Sequence, residues 1–201
     1  GTIDGSPGTL IRIEGTHEML SGSSLIADDI RLAGTINIRG HVNILDTLTV
    51  AGGTSTFTSQ ANVTSYGQHL DIIQSSARFE APVATGPQVE FDTVTLSPNF
   101  SAQDVRFNTG QPIRINTLNL RGRIEGADPI TINDAFIWSP GEGHMLAGGA
   151  ITCNGPATIQ ATSSNRTLTR IFNNHGHATF LGGFSMGPGG GFNNMSTGTI
   201  D

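Results

Sequence analysis

"FNNHGHATF", residues 172–180, and "FNNMSTGTI", residues 192–200, decide the fold. Aligned on Phe172 and Phe192 they are offset by 192 − 172 = 20 residues, and Ala178-Thr179-Phe180 falls on Gly198-Thr199-Ile200. The same small-Thr-apolar triplet stands at Ala157-Thr158-Ile159, 178 − 157 = 21 residues earlier. An echo of this length is too long for a hairpin partner and matches one coil of a stacked solenoid.

Outward from this pair, short alternating segments run the length of the chain: "LIRIEG", "IRLAGTINIRG", "VEFDTVTL", "IRINTLNLRG" and "ITINDAFIW" among them. Each is β-branched or aromatic on one parity, polar on the other, and bounded by Gly, Pro, Asn or Asp, which is the strand signature. Hydrophobic pairs begin at Ile30, Leu48, Leu70, Val89, Val105, Leu118 and Phe136, an irregular but continuous series. Only "SLIADDI", residues 24–30, leans towards a helix, and weakly. The pattern predicts an all-β chain folded as a right-handed parallel β-helix with irregular coils of about 20 residues. About ten coils at the interstrand spacing would make a rod about 48 Å tall.

Composition agrees with that class and narrows the function. The 201 residues include 27 Gly and 9 Pro, with 13% charged and 6% aromatic residues. All ten basic residues are arginine, spread along the chain, and the net charge is −6, so no phosphate-binding groove is expected and nucleic acid is set aside as a partner. No apolar run is long enough to cross a bilayer as a helix, so no membrane insertion is expected. Cys153 lies in the alternating stretch "GAITCNGPATI" and reads as buried filler.

The chain opens on Gly1-Thr2-Ile3-Asp4 and closes on Gly198-Thr199-Ile200-Asp201. With this match the whole of 1–201 reads as a single solenoid unit, one period of a longer tandem array, in which the two tetrapeptides form the junction between neighbouring copies. Asn173 and Asn174 lie one coil from Asn193 and Asn194, which predicts stacked amide ladders at one corner.

Few residues point to chemistry. His175 and His177, at i and i+2, would share a strand face, yet no carboxylate lies near them in sequence to complete a metal site. Asp28-Asp29 reads as a turn. Arg121, Arg123 and Glu125, with Arg114 upstream and Asp128 downstream, are the nearest approach to an acid, base and cation set, and the commoner reading of such a set is a solvated ion-pair ladder. No catalytic, metal or cofactor-binding residue is assigned.

The segment from "FIWSPGEGHML" to the end, together with "GTIDGSPGTLIRIEG", resembles repeats of very large secreted and surface proteins of bacteria, planctomycetes among them. Matching positions are Phe136, Trp138, Ser139, Met145, Gly148, Leu168 to Arg170, Asn173, Asn174, Asn193, Asn194 and Gly198 to Asp201. The resemblance implies an extracellular or cell-surface rod, stalk or adhesin-like fibre, with neighbouring copies and surface glycans as partners. It implies no catalytic residue. A glycan-binding shaft and a β-helical carbohydrate-active enzyme stand as the alternative functions.

Overall fold

A computed structural model describes residues 1–5, 7–97, 104–139, 143–160 and 167–201. Part of the "SPGEGHML" turn, Ser6 and Arg166 lie outside the described residues. The chain is a β-solenoid of about nine turns, each about 21 residues long, with no helix among the described residues. Every strand pairing among the described residues is parallel and joins one coil to the next, as in Leu10–Met19 on Asp29–Ile38 on Thr47–Phe57 on His69–Phe79. The weakly helical "SLIADDI" is strand over Ser24–Ala27, because its Leu25 and Ala27 point inward beneath Val42 and Ile44.

Each coil visits three faces. The first carries Thr2–Asp4, Ser24–Ala27, His41–Ile44 and Asn62–Tyr66 as a four-stranded sheet. The second carries one unbroken inward column: Ile11, Ile30, Leu48, Leu70, Val94, Leu118, Phe136, Ala157, Ala178 and Ile200, each the register partner of the next. The third begins with the C-terminal halves of the long early strands and continues through Asp104–Phe107, Arg123–Gly126, His144–Gly148, Thr167–Leu168 and Ser185–Met186.

This column corrects the spacing read from sequence. Ile30, Leu48, Leu70, Leu118 and Phe136 do belong together, but Val89 stands on the first face and Val105 on the third, and Val94 is the true member. Corner turns of unequal length shift the hydrophobic pairs along the chain without disturbing the stack. The longest described adjustment is at residues 83–88, where Val83 closes the four-stranded sheet by a bridge to Val63 and Val89 opens the next stack on Ile113. Gln111 repairs the gap: its Oε1 accepts from the Val83 amide at 2.8 Å, and its Nε2 donates to the carbonyls of Val83 and Gly86 at 3.2 and 2.8 Å.

The core is a narrow lumen filled by those inward columns. Phe57, Phe79 and Phe107 stack with ring centroids 5.2 Å apart, and Tyr66 packs edge-on against the first two. Burial pushes the Tyr66 hydroxyl well above its ordinary range, and it donates to the Ala81 carbonyl at 2.7 Å, which satisfies the polar tip inside an apolar column. Further along, Phe136, Phe172 and Phe192 continue the filling.

Corners where coils approach closest demand glycine. Gly34 has φ +144°, and a Cβ there would meet the Gly15 carbonyl at 2.0 Å. Gly34→Ala is therefore expected to lower stability by about 2 kcal/mol in chemical denaturation. Gly183→Ala, whose Cβ would enter open space, should change it by less than about 0.5 kcal/mol.

Candidate functional site

Side-chain amides form ladders at the corner between the first and second faces. Asn193 and Asn194 are the register partners of Asn173 and Asn174. The Asn193 Nδ2 donates down to Asn173 Oδ1 at 3.0 Å, while on the inner parity the Asn174 Nδ2 donates up to Asn194 Oδ1 at 2.8 Å. Asn174 is fully buried, and its Nδ2 also reaches the carbonyls of Gly176 and Thr199, so one amide ties the last corner together.

A second, longer ladder was missed in the sequence. Asn154 donates to Asn133 at 3.3 Å, Asn133 to Asn116 at 3.2 Å, and Asn116 to the Asp92 carboxylate at 2.6 Å. All three Nδ2 groups point the same way, towards the carboxylate, so each bond polarises the next. Its members are 24, 17 and 21 residues apart, which hides the period.

The terminal tetrapeptides are not brought together. Thr2–Asp4 lies on the first face beneath Ser24–Ala27, and Thr199–Ile200 lies on the second face above His177 and Ala178, at the other end of the stack. The pairing of Ala178 with Ile200 also corrects the sequence alignment, which set Ala178 on Gly198. The turn between Asn194 and Thr199 is two residues longer than that between Asn174 and His177, so the register moves by two and inward parity is kept. Both end coils present apolar side chains, with Ile3 43% and Ile200 49% exposed.

The charged set of the third face separates on folding. Arg123 and Glu125 point outward from Arg123–Gly126, whereas Arg121 sits exposed in the preceding turn and Arg114 on the first face, 4.0 Å from Glu90. Asp128 is buried: its Oδ2 accepts from the Thr109 amide and hydroxyl at 2.6 and 2.8 Å, and its Oδ1 from the Gly110 amide at 3.1 Å. Glu125 accepts from Arg106 Nε and Nη2 at 3.1 and 2.5 Å.

Behind Glu125, inside the lumen, lies Arg170, which is 1% exposed. The aromatic column Phe57, Phe79, Phe107 gives way to Gly126 and Gly148, and the Arg170 guanidinium occupies the vacated space: a Cβ on Gly148 would meet its Nη2 at 2.2 Å. Nε donates to the Leu146 carbonyl and Nη2 to the Gly126 carbonyl, both at 2.8 Å. Burial pushes the guanidinium down to about 10, against the pull of Glu125, so it remains a cation at neutral pH.

His175 and His177 sit beside threonines of the next coil. His175 Nδ1 is 3.4 Å from Thr197 Oγ1, His177 Nδ1 is 2.7 Å from Thr199 Oγ1, and His177 Nε2 is 2.9 Å from Asp201. Among the described residues no group of three or more His, Cys, Asp or Glu is placed to hold a metal ion. Asp28 and Asp29 accept from the amides of Gly8 and Thr47. Cys153 is fully buried, donates to the Gly155 carbonyl at 3.3 Å, and has its thiol pushed up to about 11 by burial.

No family model, curated protein or solved structure matches the chain. Among the described residues no helix is long and apolar enough to cross a membrane.

Two measurements probe these placements. Asn133→Leu, which breaks the long ladder on both sides, should lower stability by about 1–3 kcal/mol, against under about 0.5 kcal/mol for the exposed Arg121→Gln. Cys153 should resist a thiol reagent at pH 8 in the native protein and react fully after denaturation, since neither exposure nor a thiolate is available to it.

Proposed function

We propose that the chain is a structural building block of an extracellular filament, stalk or large surface protein, extended end to end by continuation of the β-helix. The observation that carries this reading is the ten-member column from Ile11 to Ile200, which runs through the molecule without a break. Nine steps at the interstrand spacing span about 43 Å. A stack in which every rung is covered by a like rung is extended by any coil that repeats the pattern, whether of the same polypeptide or of another copy.

The role is cohesive, not catalytic. The two carboxylates nearest to an acid and base pair are both committed, Glu125 to Arg106 and Asp128 to Thr109 and Gly110. The resemblance to repeats of secreted and surface proteins supports the extracellular setting. The partner is a neighbouring copy, head to tail. Faces coincide when Phe192 lies over Ile3 and Ile200 over Ile11 of the next copy. Stacking Gly198–Asp201 as a direct equivalent of Gly1–Asp4 would instead turn each copy by one face.

Sedimentation velocity and electron microscopy of the 201-residue protein test this. Wild-type protein should associate into lengthening rods as concentration rises, and Ile200→Asp should abolish association while leaving the Tm within a few degrees. A wild-type protein that remains monomeric into the millimolar range, or an Ile200→Asp variant that assembles as well, would overturn the reading.

A further inference from the structure

Above the interruption at residues 83–88 the first face changes character. Its outward column runs Glu90, Arg114, Thr131, Thr152, Asn173 and Asn193, each the register partner of the next, so that above Arg114 it holds only hydroxyls and amides. On one side of this column lies the chain of amides from Asn154 through Asn133 and Asn116 to Asp92. On the other, Pro129, Ala150 and Ile171 stand just before the stacked inward residues Ile130, Ile151 and Phe172 and form an apolar row, with Ile171 38% exposed. Five coil steps separate Glu90 from Asn193, about 24 Å. Above Arg114 the one exposed charge beside these rows, among the described residues, is Asp134, in the turn after Asn133.

At its foot the strip opens into a groove lined by Gln68, Glu90, Phe91, Asp92, Arg114 and Asn116. Arg114 Nη1 stands 4.0 Å from Glu90 Oε1, which also accepts from Gln88 Nε2 at 2.5 Å, while Asp92 accepts from Asn116. Two carboxylates against one guanidinium leave no positive excess to attract a polyanion, but they set acceptors and donors side by side. The amide row does the same. Asn116 and Asn133 each spend one N–H and one lone pair within the ladder, and a primary amide has two of each, so each keeps one donor and one acceptor in a direction the ladder fixes.

We propose that this strip binds a neutral polysaccharide lying along the rod axis. Ring hydroxyls meet Thr152 and the spare amide groups of Asn133 and Asn154, the C–H faces of the rings lie over Pro129, Ala150 and Ile171, and one unit sits in the groove against Glu90, Arg114 and Gln68. A sugar unit carries hydroxyls at its edges and C–H groups on its faces, which matches a polar row bordered by an apolar one. A hydroxyl both donates and accepts, so it can use carboxylate, guanidinium and amide together. The second face is also uncharged over these coils, at Thr93, Thr95, Thr117 and Thr158, but it has neither the groove nor the chained amides, so hydroxyls alone do not make the site. The strip lies on the side of the rod, and the inference stands apart from end-to-end assembly.

Affinity electrophoresis of the 201-residue protein through gels containing galactomannan or mixed-linkage β-glucan tests it, with polygalacturonate as the polyanion. At least one neutral polymer should retard the protein, with little loss as salt rises, and polygalacturonate should not. Thr152→Glu, which sets a charge at an outward position in the middle of the strip, should weaken binding roughly tenfold while the Tm is unchanged. Gln68→Ala, at an exposed turn position in the groove, should give an independent loss. Thr158→Glu, the same substitution on the second face of the same coil, should leave binding intact. The proposal is overturned if neither neutral polymer retards the protein, if polygalacturonate retards it as strongly, if Thr152→Glu and Gln68→Ala bind as well as wild type, or if Thr158→Glu loses as much affinity as Thr152→Glu.

Discussion

A parallel coil of about 21 residues cannot bury its own apolar side chains, so each depends on the coil below and the coil above. That mutual covering is what the rest of the molecule serves. It requires that every inward residue meet an inward residue one coil on, and that the backbone ladders stay about 4.8 Å apart through each corner. The glycines at the closest corners, the Gln111 clamp at the interrupted first face and the amide ladders all answer the second requirement. The columns of Ile, Val, Leu and Phe answer the first.

How much of this could be read from the residues depended on how regular the corners are. Phe172 and Phe192 are separated by a single coil with a short turn, and their pairing was plain from the repeated "FNN". Val89 and Val105 looked equivalent to Leu70 and Leu118 because a count of hydrophobic pairs cannot tell which face a pair occupies once turns vary in length. The alignment of Ala178 with Gly198 failed for the same reason on a smaller scale: two extra residues in one turn moved the register by two, which an alternating pattern does not reveal because parity is preserved.

The polar residues were harder still. Asn116, Asn133 and Asn154 end the similar runs "IRIN", "ITIN" and "ITCN", a signal masked by their unequal spacing, and the fold brings them into one line behind Asp92. Asp128 read as a partner for an exposed charged set and is instead a buried acceptor for the turn below it. Glu125 was correctly placed on an outward strand face, but the cation beneath it was not foreseen. The signal for Arg170 would have been Gly126 and Gly148 one coil apart in a column filled below them by Met19, Ile38, Phe57, Phe79 and Phe107: two missing side chains leave room for one long one.

That arginine differs from the register contacts of the strands in its reach. Strand pairing couples a coil to its immediate neighbours, so such a stack can unravel from an end rung by rung. Arg170 donates across to Leu146 and down to Gly126, 44 residues away and two coils below. Loss of its own coil therefore removes a guanidinium hydrogen bond from each of two others and leaves Glu125 without its inner countercharge. Fraying from the C-terminal end meets a latch there, and the three coils it spans open together or remain closed.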